Sequence, residues 1–148
     1  MSQRVGPIQI LLVEDNPMDI LMIRECVKKW SIKNYMHVVE DGEQALDFIY
    51  ARGSFAESPR PDLILLDLDL PKTSGNEVLS EIKKDPGLSN IKVVVVTTFD
   101  AVADTKVWND PGASLCITKP MDSDQYFQAM SYVEELWKQP QETAAKNY

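Results

Sequence analysis

Short aliphatic runs alternate along the chain with stretches of three-and-four periodicity. Ile8 to Val13, Tyr35 to Val39, Leu63-Ile64-Leu65-Leu66, Val93-Val94-Val95-Val96 and Ser114 to Thr118 predict five strands. The third and fourth runs are uninterrupted, the pattern of strands buried on both faces of a parallel sheet. Between them, Asn16 reads as a helix cap with Pro17 in the first turn, followed by Ile20, Ile23, Val27 and Trp30 on one stripe. Asp41-Gly42 reads as a turn before a second helix carrying Ala45, Leu46 and Ile49 inward. A third helix runs from Asn76 to Lys84 with Val78, Leu79 and Ile82 inward, and Asp85-Pro86-Gly87 stops it. Asp100 to Asn109 fits a short, weakly amphipathic fourth helix closed by Pro111-Gly112. Asp122 to Lys138 fits a fifth, with Tyr126, Met130, Val133 and Trp137 along its stripe.

Strictly alternating elements imply a doubly wound α/β fold: a five-stranded parallel sheet with right-handed crossovers and helices on both faces. One domain over residues 8–138 is expected, with tails at 1–7 and 139–148; 148 residues suit a single domain. Arg52 to Pro61 is the longest irregular stretch, rich in glycine, serine and proline, and reads as a mobile or partner-facing loop.

Charge narrows the partners. Fifteen basic against twenty-three acidic residues leave a formal charge of −8, which repels nucleic acid and is compatible with metal cations. No apolar run is long enough for a membrane span or a signal, so a cytoplasmic address is expected. Cys26 and Cys116 lie in periodic apolar segments and read as small buried hydrophobes rather than a disulfide or metal pair.

Polar residues follow four of the strands: Glu14 and Asp15 after the first, Asp67 and Asp69 after the third, Thr97 after the fourth, and Lys119 after the fifth. In an open parallel sheet these gather at one rim, beyond the carboxyl ends of the strands, where ligands bind. An acid after a strand is by itself more often a turn former; the repetition across strands gives the site reading. Clustered carboxylates beside one ammonium repel one another unless a cation joins them, and hard oxygen donors suit Mg²⁺ next to a phosphoryl group. Asp67, on the most central strand, is then the carboxylate that accepts a phosphoryl group, with the metal, Lys119 and the Thr97 hydroxyl spreading charge on its oxygens.

These motifs together resemble a response-regulator receiver domain of two-component signalling. Glu14-Asp15 matches the acidic pair, and Asp67 with Pro71 and Gly75 matches the phosphoacceptor loop. Thr97 matches the switch hydroxyl, Lys119-Pro120 the lysine and its proline, and Gly112-Ala113 precedes the fifth strand as in the family. The resemblance spans roughly Ile8 to Trp137 and implies a flavodoxin-like strand order of 2-1-3-4-5. It implies metal on Glu14, Asp15, Asp67 and the backbone carbonyl of Asp69, a cis bond between Lys119 and Pro120, and a sensor histidine kinase as donor. Arg60 to Leu68 and the preceding loop are similar to response regulators paired with bacterial phytochromes, which implies a phytochrome-type kinase. Receivers often pair, so a homodimer through the fourth and fifth helices and the fifth strand is expected. With no effector region after the last helix, a stand-alone regulator is expected, its output carried by the receiver surface.

Three positions depart from the family pattern. Cys116 stands where an aromatic residue usually swings with the threonine, Thr98 replaces a common alanine, and Asp69 adds a negative side chain near the acceptor. Asp69 and Phe99 are expected to set the lifetime of the acyl phosphate. His37, the sole histidine, reads as structural, and Glu40, Asp41 and Glu43 as a solvated turn and helix start. Two rival functions remain: a haloacid-dehalogenase-type phosphatase built on Asp67-Leu68-Asp69, and a degenerate receiver that binds partners without phosphorylation. A flavodoxin-type cofactor binder is disfavoured, because its first turn needs backbone donors where Glu14 and Asp15 put negative charge.

Overall fold

A computed structural model of the chain describes residues 6–98, 115–119 and 122–138. Its strands are β1 (Ile8–Val13), β2 (Asn34–Val39), β3 (Leu63–Leu66), β4 (Lys92–Thr97) and β5 (Leu115–Thr118). They form one sheet in the order β2-β1-β3-β4-β5, all pairs parallel. The described helices are α1 (Pro17–Lys28), α2 (Gly42–Ile49), α3 (Gly75–Lys84) and α4 (Ser123–Lys138), the last being the fifth expected from the sequence. The expected fourth helix, Phe99, Trp108, Gly112-Ala113 and the proline of the Lys119-Pro120 bond lie outside the described residues.

The aliphatic runs are uninterrupted because each strand feeds two cores. Leu11, Val13, Ile64, Leu66, Val93 and Val95 pack with Ala45, Phe48, Val78 and Leu79 of α2 and α3. Their neighbours Ile10, Leu12, Leu63, Leu65, Val94 and Val96 face the other way, onto Ile23 and Val27 of α1 and Tyr126, Met130 and Val133 of α4. Successive strand residues point to opposite faces, so a strand covered by helices on both sides must be apolar at every position. Each fully buried Leu or Ile contributes about 1.5–3 kcal/mol.

Several local expectations shift. Helix α1 ends at Lys28, with Lys29 as its C-cap, so Trp30 is buried from the following turn rather than from the helix stripe. Asp41-Gly42 is not a free turn. Asp41 caps α2 by accepting from the Gln44 amide at 2.8 Å and is 6% exposed, so it is a buried acid rather than a solvated one. Gly42 opens the helix, and a Cβ there would lie 1.9 Å from the carbonyl oxygen of Thr73. The glycine is required by close approach of the β3–α3 loop. His37 is structural: its Nε2 lies 2.8 Å from Gln9 Oε1, and its ring tilts against Phe48. The loop after α2 contains a short 3-10 turn at Gly53–Phe55, with Phe55 packed on Phe48. Among the described residues no helix is long and apolar enough to cross a membrane.

Candidate functional site

The parallel register sets the site. The Asp67 amide donates to the Val13 carbonyl at 3.1 Å and the Glu14 amide to the Val39 carbonyl at 3.0 Å, so both acids leave the sheet at the same edge. On the other side, the Lys119 amide donates to the Thr97 carbonyl at 2.7 Å, carrying the β4–β5 pairing one residue past the strand ends. Four strands thus deliver their terminal polar residues to one point, as the alternation predicts.

Asp67 is the centre and is 3% exposed. Its Oδ1 accepts from the Thr97 hydroxyl at 2.6 Å and from the Asp69 amide at 3.1 Å. Its Oδ2 faces the Lys119 ammonium at 3.1 Å. Gly75 makes the loop possible: its amide donates to the Leu68 carbonyl at 3.2 Å, and a Cβ there would sit 2.3 Å from the Asp67 carbonyl oxygen. Helix α3, held by a capping box between Ser74 and Glu77, therefore starts directly against the backbone of the central acid.

Lys119 reaches three carboxylates at once. Beside Asp67, it lies 3.1 Å from Glu14 Oε1 and 2.9 Å from Asp19 Oδ2. Burial works against its charge, but the bond to Asp19 and the charges of Asp67 and Glu14 outweigh it and hold its pKa above that of an ordinary lysine. Glu14 is 1% exposed. Burial and then the Asp67 charge push its carboxyl up to about 7, with Lys119 and the Asn16 amide pulling the other way.

Carboxylate oxygens of Glu14, Asp15 and Asp67 lie within 4.8 Å of one another. Three hard oxygen donors, two of them buried and one exposed at the mouth, fit a divalent cation that keeps part of its water shell. Asp69 is nearby in the same loop with its side chain exposed, and Thr98 is also exposed. Cys116 is half-buried and packs against the core on the α2–α3 side; its thiol is pushed up by burial. Cys26 and Cys116 are both free thiols.

Asp19 and the Tyr126 hydroxyl belong to the same network and were not singled out from the sequence. The Tyr126 hydroxyl donates to Asp19 Oδ1, while Asp19 Oδ2 takes Lys119. Asp19 lies in the first turn of α1, where an acid reads as an ordinary helix-start residue, and Tyr126 reads as one more apolar-stripe position, so no local signal joined them.

An acidic nest, a buried hydroxyl and a lysine gathered at the carboxyl edge place this chain among the doubly wound α/β proteins whose site lies beyond the strand ends. Residues 10–131 match the family model described as the response regulator receiver domain, and the chain belongs to that family. It is 38% identical over 138 residues to the response regulator Rcp1 of Synechocystis sp., covering 93% of this chain and 94% of that protein. Among solved structures, it is similar to the phosphorylated cyanobacterial phytochrome response regulator RcpA, with a TM-score of 0.82 and 41% identity over 89% of this chain and 94% of that one. The Mn²⁺-bound form of Rcp1 is comparably similar, with a TM-score of 0.81 and 38% identity over 88% and 94% of the two chains. Membership removes the phosphatase alternative, whose D-x-D belongs on a first strand rather than at the end of β3. The chain is a response regulator homologous to those of phytochromes.

Proposed function

We propose that this response regulator accepts a phosphoryl group on Asp67 from a sensor histidine kinase of the phytochrome type and changes its contact surface as a result. The observation that carries the reading is the division of labour around Asp67. Thr97 and the Asp69 amide occupy Oδ1, while Oδ2 faces Lys119 at the mouth of the nest. Similarity to phytochrome response regulators, one in phosphorylated and one in Mn²⁺-bound form, supports the donor class and the metal requirement.

In this mechanism Asp67 Oδ2 attacks the phosphorus of a phosphohistidine. The new oxygen–phosphorus bond forms as the phosphorus–nitrogen bond breaks, and its electron pair stays on the donor imidazole. Lys119 remains beside the transferred oxygens and offsets their charge, a positioning effect that supplies most of the rate in phosphoryl transfer. Glu14, Asp15, Asp67 and the backbone carbonyl of Asp69 would hold a Mg²⁺ ion, whose charge would offset that of the phosphoryl oxygens. Thr97 turns its hydrogen from Asp67 Oδ1 to a phosphoryl oxygen, and because Thr97 and Lys119 are joined through their backbones, β4 and β5 respond together.

Incubation with a phosphorylated phytochrome-type kinase and Mg²⁺ should move label from kinase to Asp67 within minutes. Label that stays on the kinase contradicts the donor assignment. Pairing of two copies is part of the same proposal. Edge strand β5 and the face of α4 bearing Tyr132, which is 58% exposed, are the described parts of that surface. A sedimentation mass that stays monomeric with and without beryllofluoride contradicts it.

A further inference from the structure

We infer that Asp19 and Tyr126 form a positioning pair that keeps the Lys119 ammonium in the nest when a divalent cation enters it. The inference rests on the proposed phosphorylation of Asp67 and extends it to two residues outside the phosphoacceptor and metal positions. Lys119 has three carboxylate partners, and two of them, Glu14 and Asp67, are also candidate metal ligands. A dication drawn to those two takes over their charge and repels the ammonium beside it. Asp19 is the remaining partner, the nearest at 2.9 Å, and stands outside the metal-ligating group.

Asp19 can hold that ammonium only if its carboxylate stays aimed. It sits in the first turn of α1 with a side chain 18% exposed, so water competes for it. Tyr126 removes that freedom. Its ring is 4% exposed, packed in the core between the sheet and α1, and its hydroxyl donates to Asp19 Oδ1, leaving Oδ2 for Lys119. Burial first, then the bond to Asp19 and the charges of Asp19, Glu14 and Asp67, push the hydroxyl's pKa above that of an ordinary tyrosine, so it stays a donor. The chain Tyr126 to Asp19 to Lys119 therefore runs from α4 through α1 to the reacting carboxylate. Neither residue touches the phosphoryl position, so both act through Lys119.

The test uses Tyr126→Phe, Asp19→Asn and their double variant in the full chain. Affinity for Mg²⁺ alone and then for beryllofluoride at saturating Mg²⁺ is measured by calorimetry, with urea midpoints as a record of stability. Tyr126→Phe is expected to bind Mg²⁺ within about twofold of wild type and beryllofluoride about fivefold more weakly, roughly the effect of one lost hydrogen bond. In the Asp19→Asn background, the same change should leave beryllofluoride affinity unaltered while still lowering the urea midpoint. In the metal-free protein, the Lys119 ammonium protons should exchange with water faster in Tyr126→Phe than in wild type by nitrogen-15 NMR. Wild-type beryllofluoride affinity in Tyr126→Phe, or additive losses in the double variant, overturn the pair. If wild type itself binds no beryllofluoride, the failure lies with the phosphorylation of Asp67.

Discussion

Thr97 donates its hydroxyl to Asp67 Oδ1 at 2.6 Å from a position with no solvent exposure. Thr97 ends β4 and Asp67 directly follows β3, so this bond ties the central acid to the strand whose last carbonyl accepts from the Lys119 amide just beyond β5. A buried hydroxyl committed to a carboxylate is costly to remove. Thr97→Val, of nearly the same shape, should lower unfolding free energy by about 1.5–3 kcal/mol in urea titrations of the metal-free protein. An unchanged midpoint would show that the bond carries no weight.

Removal of Lys119 exposes the repulsion it suppresses. Lys119→Ala leaves Glu14, Asp19 and Asp67 facing one another with no ammonium. In metal-free buffer it should be destabilised by about 3 kcal/mol, the scale of breaking a buried ion pair. Much of that loss should return with millimolar Mg²⁺, because a dication replaces the missing charge. Equal destabilisation with and without Mg²⁺ would mean the nest does not take the metal.

Glu14 gives a pH dependence of defined sign. Its carboxyl is raised from the ordinary 4.5 to about 7, chiefly by burial and by Asp67. Between those values the folded chain holds a proton that the unfolded chain has released, so this group makes stability rise as pH falls from about 7 towards 4.5. Its contribution cannot exceed about 1.4 kcal/mol per pH unit. Denaturant midpoints of the metal-free protein, compared with Glu14→Gln, isolate it: the wild-type slope between pH 5 and 7 should be the more negative by that component. Parallel curves would contradict the assignment.

Gly75 tests the contact between α3 and the acceptor loop. A methyl group there meets the Asp67 carbonyl oxygen at 2.3 Å and the Leu68 Cα at 2.5 Å, both backbone atoms. Gly75→Ala must push the helix start away from the loop. It should cost about 1–3 kcal/mol, as overpacking does, and slow phosphorylation of Asp67. A variant as stable and as reactive as wild type would show the loop to be compliant.

The sheet was legible because strands covered on both sides leave an unbroken aliphatic signature, clearest at Leu63–Leu66 and Val93–Val96. Their polar followers, Glu14, Asp67, Thr97 and Lys119, were legible because parallel strands bring every carboxyl end to one rim. What stayed hidden depends on contacts between distant elements. Tyr126 looks like another stripe residue of its helix, and only the packing of α4 on α1 brings its hydroxyl to Asp19, 107 residues away. Gly42 reads as a turn former because nothing local announces the Thr73 carbonyl pressed against it. Asp41 likewise reads as solvated until the β3–α3 loop, with Lys72 at 3.7 Å, covers it.

Chemical modification of Asp67 tests the account most directly. The purified chain is incubated with acetyl phosphate and Mg²⁺, and its intact mass is recorded beside that of Asp67→Asn. The account predicts a gain of one phosphoryl group in wild type, dependent on Mg²⁺, reversed on standing, and absent from the variant. A wild-type mass that does not change, or a gain that survives in Asp67→Asn, would contradict it.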